Sequence, residues 1–102
     1  KLFNAAAGQS ADMANNNYVA HTSLDGRTPG QRMTAAGYNW SSFGENVAAG
    51  QSSVSAAIAD WMASAGHCSN IMNSSYRDVA VACVANNNST YRTYWTMDLG
   101  RP

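Results

Sequence analysis

The sequence predicts an α/β domain, because helical periodicity marks its start and middle and two β-rich segments lie near its end. Residues 2–16 place their apolar side chains near one helix face. Residues 53–64 repeat apolar side chains at three-to-four spacing, which predicts a second amphipathic helix that ends at Gly66. Residues 79–84 are apolar on both faces and predict a central strand, and residues 91–97 should pair with it as an antiparallel hairpin.

A short helix over residues 29–36 is predicted by the residues at its two ends. Thr28 is placed as the N-cap, and Gln31 is placed for the reciprocal bond of a capping box. Gly37 then supplies a left-handed stop. Residues 38–49 follow with aromatic and apolar side chains among Gly and Ser, which leaves room for a short strand.

The low charge of the chain narrows the range of its partners. Only 12 % of the residues are charged, and the formal net charge is zero. A chain without a run of Lys or Arg lacks the field that attracts nucleic acid or anionic lipid. No apolar stretch approaches the ~20 residues that span a bilayer. We therefore expect no nucleic-acid partner and no membrane span, and we expect a monomer.

Length and cysteine content predict a single secreted domain. The 102 residues fit one domain, residues 1–102. The first helix begins without a capping residue, so we expect the domain to be truncated at its N-terminus. Cys68 and Cys83 in a Lys-poor, Asn- and Ser-rich chain predict an extracellular, oxidising compartment and a Cys68–Cys83 disulfide. The alternative is two buried free thiols.

Three residues are the main candidates for chemistry. The two histidines, His21 and His67, lie where predicted elements end, and Glu45 is the sole glutamate, in a Gly-Glu-Asn turn sequence. Two imidazoles and a carboxylate are a ligand set that zinc takes, but these residues are far apart along the chain, so their spacing is not specific. The alternatives are hydrogen-bonded surface histidines and a solvated turn glutamate.

Seven short motifs occur along the chain in a characteristic order. They are Asp12-Met13-Ala14, His21-Thr22-Ser23, Gly37-Tyr38, Gly44-Glu45-Asn46-Val47-Ala48, Trp61-Met62-Ala63-Ser64, Gly66-His67-Cys68-Ser69-Asn70-Ile71-Met72 and Tyr94-Trp95-Thr96. Together they resemble the CAP superfamily of cysteine-rich secretory, antigen 5 and pathogenesis-related proteins, and most of all its compact, microbial, SCP-like extracellular domains. The resemblance implies a three-layer α-β-α sandwich with an antiparallel central sheet.

The same resemblance implies a cleft in which two histidines and acidic residues converge. The matching positions are His21, Glu45 and His67, with Asn46 and Ser64 expected to line the cleft. In many family members a glutamate stands where this chain has Ser64, so one carboxylate of the usual pair is absent here. The remaining His-Glu-His trio is expected to hold a divalent metal, with zinc as the expected cofactor.

Several functions remain open on this basis. We expect first a secreted binding module, without catalysis, that takes a small lipid, sterol or glycan ligand or a divalent metal. One alternative is a zinc-dependent hydrolase in which Glu45 acts as general base on a metal-bound water. Another alternative is a secreted effector or antimicrobial protein, although zero net charge does not favour simple membrane lysis.

Overall fold

Three antiparallel strands form one sheet with helices on both of its faces. The computed structural model describes residues 1–102. In chain order its elements are α1 (Leu2–Asn16), α2 (Pro29–Ala35), β1 (Ser42–Ala49), α3 (Val54–Ala63), α4 (Ala65–Met72), β2 (Asp78–Ala85) and β3 (Thr93–Arg101). The strand order is β1-β3-β2, so the last strand of the chain lies in the middle of the sheet.

The central strand β3 divides the core into two layers, because alternate side chains of a strand point to opposite faces. Trp95 and Met97 pack against Trp61 of α3 on one face. Tyr94 packs against Met13 of α1 on the other face. The predicted α/β class and three-layer α-β-α sandwich with an antiparallel central sheet are therefore confirmed.

Helix α1 has the predicted bounds, and its buried residues recur three or four positions apart along one face. They are Leu2, Ala5, Ala6, Gln9, Ser10, Met13 and Ala14. Two of these are polar, and both find partners. Ser10 Oγ lies 2.7 Å from Thr96 Oγ1 of the central strand, and Gln9 binds the segment that follows the helix.

The predicted capping box starts helix α2. Thr28 Oγ1 accepts from the Gln31 backbone N–H at 3.3 Å, and Gln31 Oε1 accepts from the Thr28 N–H at 2.9 Å. The chain then turns at Gly37, whose φ of 89° is the left-handed conformation that favours glycine. The short helix is thus closed at both ends by the predicted residues.

The amphipathic segment in the middle of the chain continues as two helices. Helix α3 ends at Ala63 and α4 begins at Ala65, so the prediction that Gly66 ends the helix is wrong. Ser64 has extended backbone angles, φ −101° and ψ 125°, and this residue separates the helices. Gly66 lies inside α4 and is not among the residues with positive φ, so it does not act as a left-handed stop.

The prediction that residues 79–84 form a central strand is also wrong. They lie in β2, at an edge of the sheet, and β3 is the central strand. Helix α1 packs on one face of β2, whereas α3 and α4 pack over β1. The other face of β2 is therefore partly open, and Val79 is 61 % exposed. The predicted antiparallel pairing of these two strands is confirmed.

The structure contradicts the predicted Cys68–Cys83 disulfide, since both cysteines are free. Cys68 lies on α4, which packs against β1. Cys83 lies on β2, at the opposite edge of the sheet, with β3 in between. A disulfide tolerates at most ~7 Å between its two Cα atoms, and the two free cysteines do not form such a pair.

Alkylation of the chain without reductant tests the two free thiols. We expect intact mass spectrometry to show two iodoacetamide adducts after denaturation without reductant, because Cys68 and Cys83 lie over different parts of the sheet. The matched sample is treated with reductant first and should give the same mass. Adducts that form only after reduction would contradict the separation of the two cysteines.

Candidate functional site

A buried ion pair between Arg32 of α2 and Glu45 of β1 forms the centre of the candidate site. Arg32 Nη1 donates to Glu45 Oε2 at 2.9 Å, and Arg32 Nη2 donates to Glu45 Oε1 at 3.0 Å. The two side chains are only 4 % and 1 % exposed. Removal of either partner would leave the other as an unpaired buried charge, so this bidentate contact holds α2 against β1.

His21 connects this ion pair to the protein surface. Its Nδ1 lies 3.0 Å from Glu45 Oε1, and its side chain is 50 % exposed. Because an ionised carboxylate only accepts hydrogen bonds, Nδ1 carries the proton in this contact. In the neutral ring the free lone pair is then on Nε2, the nitrogen that Glu45 does not occupy. The arrangement therefore offers a hydrogen-bond acceptor, or a base, to a partner outside the fold.

Buried side chains also hold the backbone on both sides of this imidazole. Gln9 Nε2 donates to the Ala20 carbonyl at 2.8 Å, and Arg32 Nη2 donates to the His21 carbonyl at 2.6 Å. The Gln9 amide is itself oriented by Ser23, whose hydroxyl donates to Gln9 Oε1 at 2.8 Å. The connection that carries His21 lacks helix and strand, yet its backbone is fixed by α1 and α2.

Asp98 of β3 lies directly opposite Glu45 in the strand register. The carboxyl of Asp98 is fully buried, and neither of its oxygens accepts a hydrogen bond from any residue. Burial, together with the neighbouring Glu45 carboxylate, raises the pKa of Asp98 to about 9. Asp98 is therefore a neutral acid at neutral pH, and its hydroxyl can donate to Glu45.

Glu45 remains ionised because of these neighbours. Burial alone would raise the pKa of Glu45, but the hydrogen bond from His21, the neighbouring Asp98 carboxyl, and the hydrogen bonds and charge of Arg32 hold it below its usual value. The pair of carboxyls thus has two different states, one charged and one neutral. The charged one faces the histidine, and the neutral one lies behind it in the core.

Asn46, the next residue along β1, points to the opposite face of the sheet and holds α4. Its Nδ2 donates to the His67 carbonyl at 3.2 Å. Asn70 Nδ2 donates to Asn46 Oδ1 at 3.0 Å and to the Glu45 carbonyl at 3.2 Å. His67 is half-buried in the first turn of α4, and Ser64 precedes that helix without a side-chain cap bond.

The expected zinc ligands do not form a metal site in this arrangement. No three His, Cys, Asp or Glu side chains form a group that could hold a metal ion. Both oxygens of Glu45 already accept from Arg32, and one also accepts from His21. A divalent ion at Glu45 would lie beside the Arg32 guanidinium charge, so the trio of His21, Glu45 and His67 does not fit zinc.

The expected cleft is not one of the cavities of the structure. The largest cavity, about 510 Å³, lies between α1, α2 and residues 23–27, and Arg32 is on its wall. Neither histidine nor Glu45 lines this cavity or the three smaller ones, and the same is true of Asn46 and Ser64. The His21 ring is half exposed outside these cavities, and its backbone carbonyl accepts from Arg32, which lines the largest one.

Three residues of the site were not predicted from the sequence: Gln9, Arg32 and Asp98. Gln9 falls on the apolar face of α1, where a polar residue indicates an internal partner. Asp98 is a single acid between Met97 and Leu99 in a β-rich segment, which is the same kind of indication. Arg32 precedes the buried Met33 in α2, and nothing in its local sequence distinguishes it from a surface arginine.

Comparison with known proteins identifies the family of this three-layer domain. The family model CAP, described as the cysteine-rich secretory protein family, matches residues 1–99, and the chain belongs to this family. The uncharacterized protein YkwD of Bacillus subtilis (strain 168) is 34 % identical over 83 residues, which are 81 % of this chain and 32 % of that protein. The resemblance inferred from the motifs is therefore confirmed.

Two solved structures share the fold. A crystal structure of an extracellular protein containing an SCP domain from Bacillus anthracis str. Ames superposes with a TM-score of 0.86 at 31 % identity, over 99 % of this chain and 32 % of that chain. An outer surface protein from Borrelia burgdorferi has a TM-score of 0.83 at 18 % identity, over 95 % of this chain and 70 % of that chain. The chain thus spans about a third of the two Bacillus proteins. None of its helices has the length and hydropathy needed to cross a membrane.

Replacement of Arg32 tests the buried ion pair. We expect Arg32→Met to lower the free energy of unfolding by roughly 3–5 kcal/mol, because the Glu45 carboxylate would lose its buried countercharge. Urea unfolding followed by circular dichroism measures the change. The matched control is Arg27→Met, which breaks an exposed pair with Asp25 and should change little. Equal losses in both variants would show that burial of Arg32 is not what stabilises the chain.

The state of Asp98 predicts a pH dependence of stability. Its pKa is about 9 in the folded chain, against an ordinary value of 3.8. Between these values the unfolded chain has released the proton that the folded chain retains, so the stability supplied by the neutral acid is lost as pH rises toward 9. We expect Asp98→Asn to become more stable relative to the unsubstituted chain from pH 5 to pH 8, by up to about 1.4 kcal/mol per pH unit. Urea unfolding at each pH measures the free energy of unfolding of both chains. If the two values changed with pH in parallel, this would contradict the raised pKa of Asp98.

Proposed function

We propose that this chain is an extracellular binding domain in which His21 recognises a hydroxyl group of a glycan. The observation that supports the proposal is the His21–Glu45 pair, in which a buried carboxylate orients a half-exposed imidazole. With the proton held on Nδ1, Nε2 is an acceptor set in advance for a hydroxyl donor. A group that needs no rearrangement on binding lowers the ordering cost of the complex.

The extracellular location is supported by the relatives of the chain. One similar structure is described as an extracellular protein, and another as an outer surface protein. The composition agrees with this location, because polarity comes from Asn, Ser and Thr and only 12 % of the residues are charged. The whole relatives are longer than this chain, so the proposal concerns the domain alone.

A glycan fits the surroundings of His21 better than a lipid or a sterol. The largest cavity, whose wall includes the Arg32 that binds the His21 carbonyl, has twelve lining residues, of which only four are hydrophobic. Its polar wall includes Asn4, Asp12, Asn16 and Arg27, which can donate to or accept from hydroxyl groups. Sites for small apolar ligands are lined mainly by hydrophobic and aromatic side chains. The contacts available here are those of a hydroxyl-rich ligand.

The alternative functions have less support in this geometry. A zinc-dependent hydrolase would use Glu45 as general base, but that carboxylate is 1 % exposed and Arg32 binds both of its oxygens. Any proton transfer with a substrate would have to pass through His21, the exposed member of the network. An effector or antimicrobial role would depend on the same exposed histidine for recognition, and no separate feature favours it.

Titration with defined ligands tests the proposed function. The probes are a β-1,4-linked N-acetylglucosamine tetramer and maltotetraose, added to the ¹⁵N-labelled chain and followed by ¹H–¹⁵N spectra. We expect one of these glycans to shift the amide signals of residues 20–23. His21→Ala should weaken the binding about tenfold, the effect of one lost hydrogen bond.

His67→Ala is the matched control, because His67 is bound to Asn46 on the opposite face of β1 and its removal should leave glycan affinity unchanged. Cholesterol sulfate and zinc chloride are titrated in parallel. If either of these shifts the signals of residues 20–23 and neither glycan does, the glycan assignment is wrong. An unchanged glycan affinity in His21→Ala would remove His21 from the binding site.

A further inference from the structure

We propose that Asp98 is a positioning residue, whose carboxyl donates a hydrogen bond to Glu45 and thereby fixes Glu45 for its contact with His21. The inference deepens the proposed function and rests on it, since it concerns how the same histidine is presented. The geometry comes first from the sheet register, which places Glu45 of β1 and Asp98 of β3 directly opposite each other. Side chains of such pairs lie on the same face and are close enough to touch.

The hydrogen bonds of Glu45 leave one position for Asp98. An ionised carboxylate has about four acceptor sites. His21 Nδ1 occupies one, and the two Arg32 nitrogens occupy two more. The remaining site is the one that a donor from the core side of Glu45 can fill. Asp98 is the residue placed there by the register.

Asp98 has no other partner that would explain its burial. It is 0 % exposed, and neither of its oxygens accepts a hydrogen bond from any residue. An ionised carboxylate without donors is strongly disfavoured in such a place, whereas a neutral acid is satisfied when its hydroxyl donates to Glu45. The raised pKa of Asp98, caused first by burial and then by Glu45, agrees with this state.

This role differs from that of the acid missing at Ser64. The expected cleft needed a second carboxylate beside the ligand, and Ser64 cannot supply it. Asp98 brings a second carboxyl to Glu45 from the central strand, but it is fully buried and has no access to a ligand. It acts through Glu45: Arg32 binds the carboxylate from α2, and Asp98 binds it from β3. Glu45 Oε1 is then held in line with His21 Nδ1.

The test reads the proton position on His21 without any ligand. Long-range ¹H–¹⁵N spectra of the whole chain show which ring nitrogen carries the proton in the neutral ring. We expect the Nδ1–H form in the unsubstituted chain and in Asp98→Asn, because the asparagine amide can also donate to Glu45. In Asp98→Ala the ratio of the two forms should fall about tenfold, the effect of one lost hydrogen bond.

Thr96→Ala is the matched control, since Thr96 is buried on the same strand and face and bonds Ser10 rather than Glu45. It should lower stability without changing the His21 proton position. An unchanged His21 spectrum in Asp98→Ala overturns the proposal. So does an equal change in Asp98→Asn or Thr96→Ala, because the effect would then be merely structural.

A second measurement covers the case in which Asp98→Ala does not fold. The ¹³C signal of the Asp98 carboxyl in the unsubstituted chain should be that of a protonated acid at pH 7, and a carboxylate signal overturns the proposal. Neither measurement uses a glycan. If the glycan titration fails while the spectra respond as expected, the proposed function is wrong and the positioning role stands. If the glycan titration succeeds while the His21 and Asp98 spectra do not respond as expected, the positioning role is wrong and the proposed function stands.

Discussion

Glu45 leaves water when the chain folds, and an ionised carboxylate in that position costs several kcal/mol unless a cation and hydrogen-bond donors replace the solvent. Arg32 supplies the cation and two of the donors. The Arg32 side chain also bonds the His21 carbonyl. Arg32 therefore connects helix α2 to strand β1 and to the segment that carries His21.

Helix α1 and the central strand β3 also contribute buried polar groups to this half of the domain. Helix α1 contributes Gln9, whose amide bonds the Ala20 carbonyl and is itself held by Ser23. The central strand contributes Asp98, which accepts no hydrogen bond and lies directly opposite Glu45 in the sheet register. A chain with 12 % charged residues thus places three of them, Arg32, Glu45 and Asp98, inside one buried network. The half-exposed imidazole at its edge is attached to this network through Glu45.

The sequence predicted the elements that depend on neighbouring residues, and it did not predict arrangements that depend on residues far apart along the chain. Apolar periodicity predicted α1, and the capping residues at the two ends of α2 predicted that helix. Both signals are local, because the start and the end of a helix depend on neighbours a few positions away. The order of the strands and the separation of Cys68 from Cys83 depend on which strand takes the centre of the sheet, and no local pattern in residues 79–84 determines that. The family resemblance predicted the architecture, and the structure does place His21 beside Glu45. It did not predict Arg32 or Asp98, whose burial depends on a partner elsewhere in the chain.

The alternation of β1 explains why the site is organised around one histidine. Glu45 and Asn46 are consecutive, so their side chains point to opposite faces of the strand. Glu45 binds the ring of His21 on one face, and Asn46 binds the backbone of His67 on the other. A shared metal would need the carboxylate to serve both histidines, but Arg32 and His21 already use it. The two histidines therefore have separate structural attachments, and chemistry at the surface depends on the one whose ring the buried carboxylate orients.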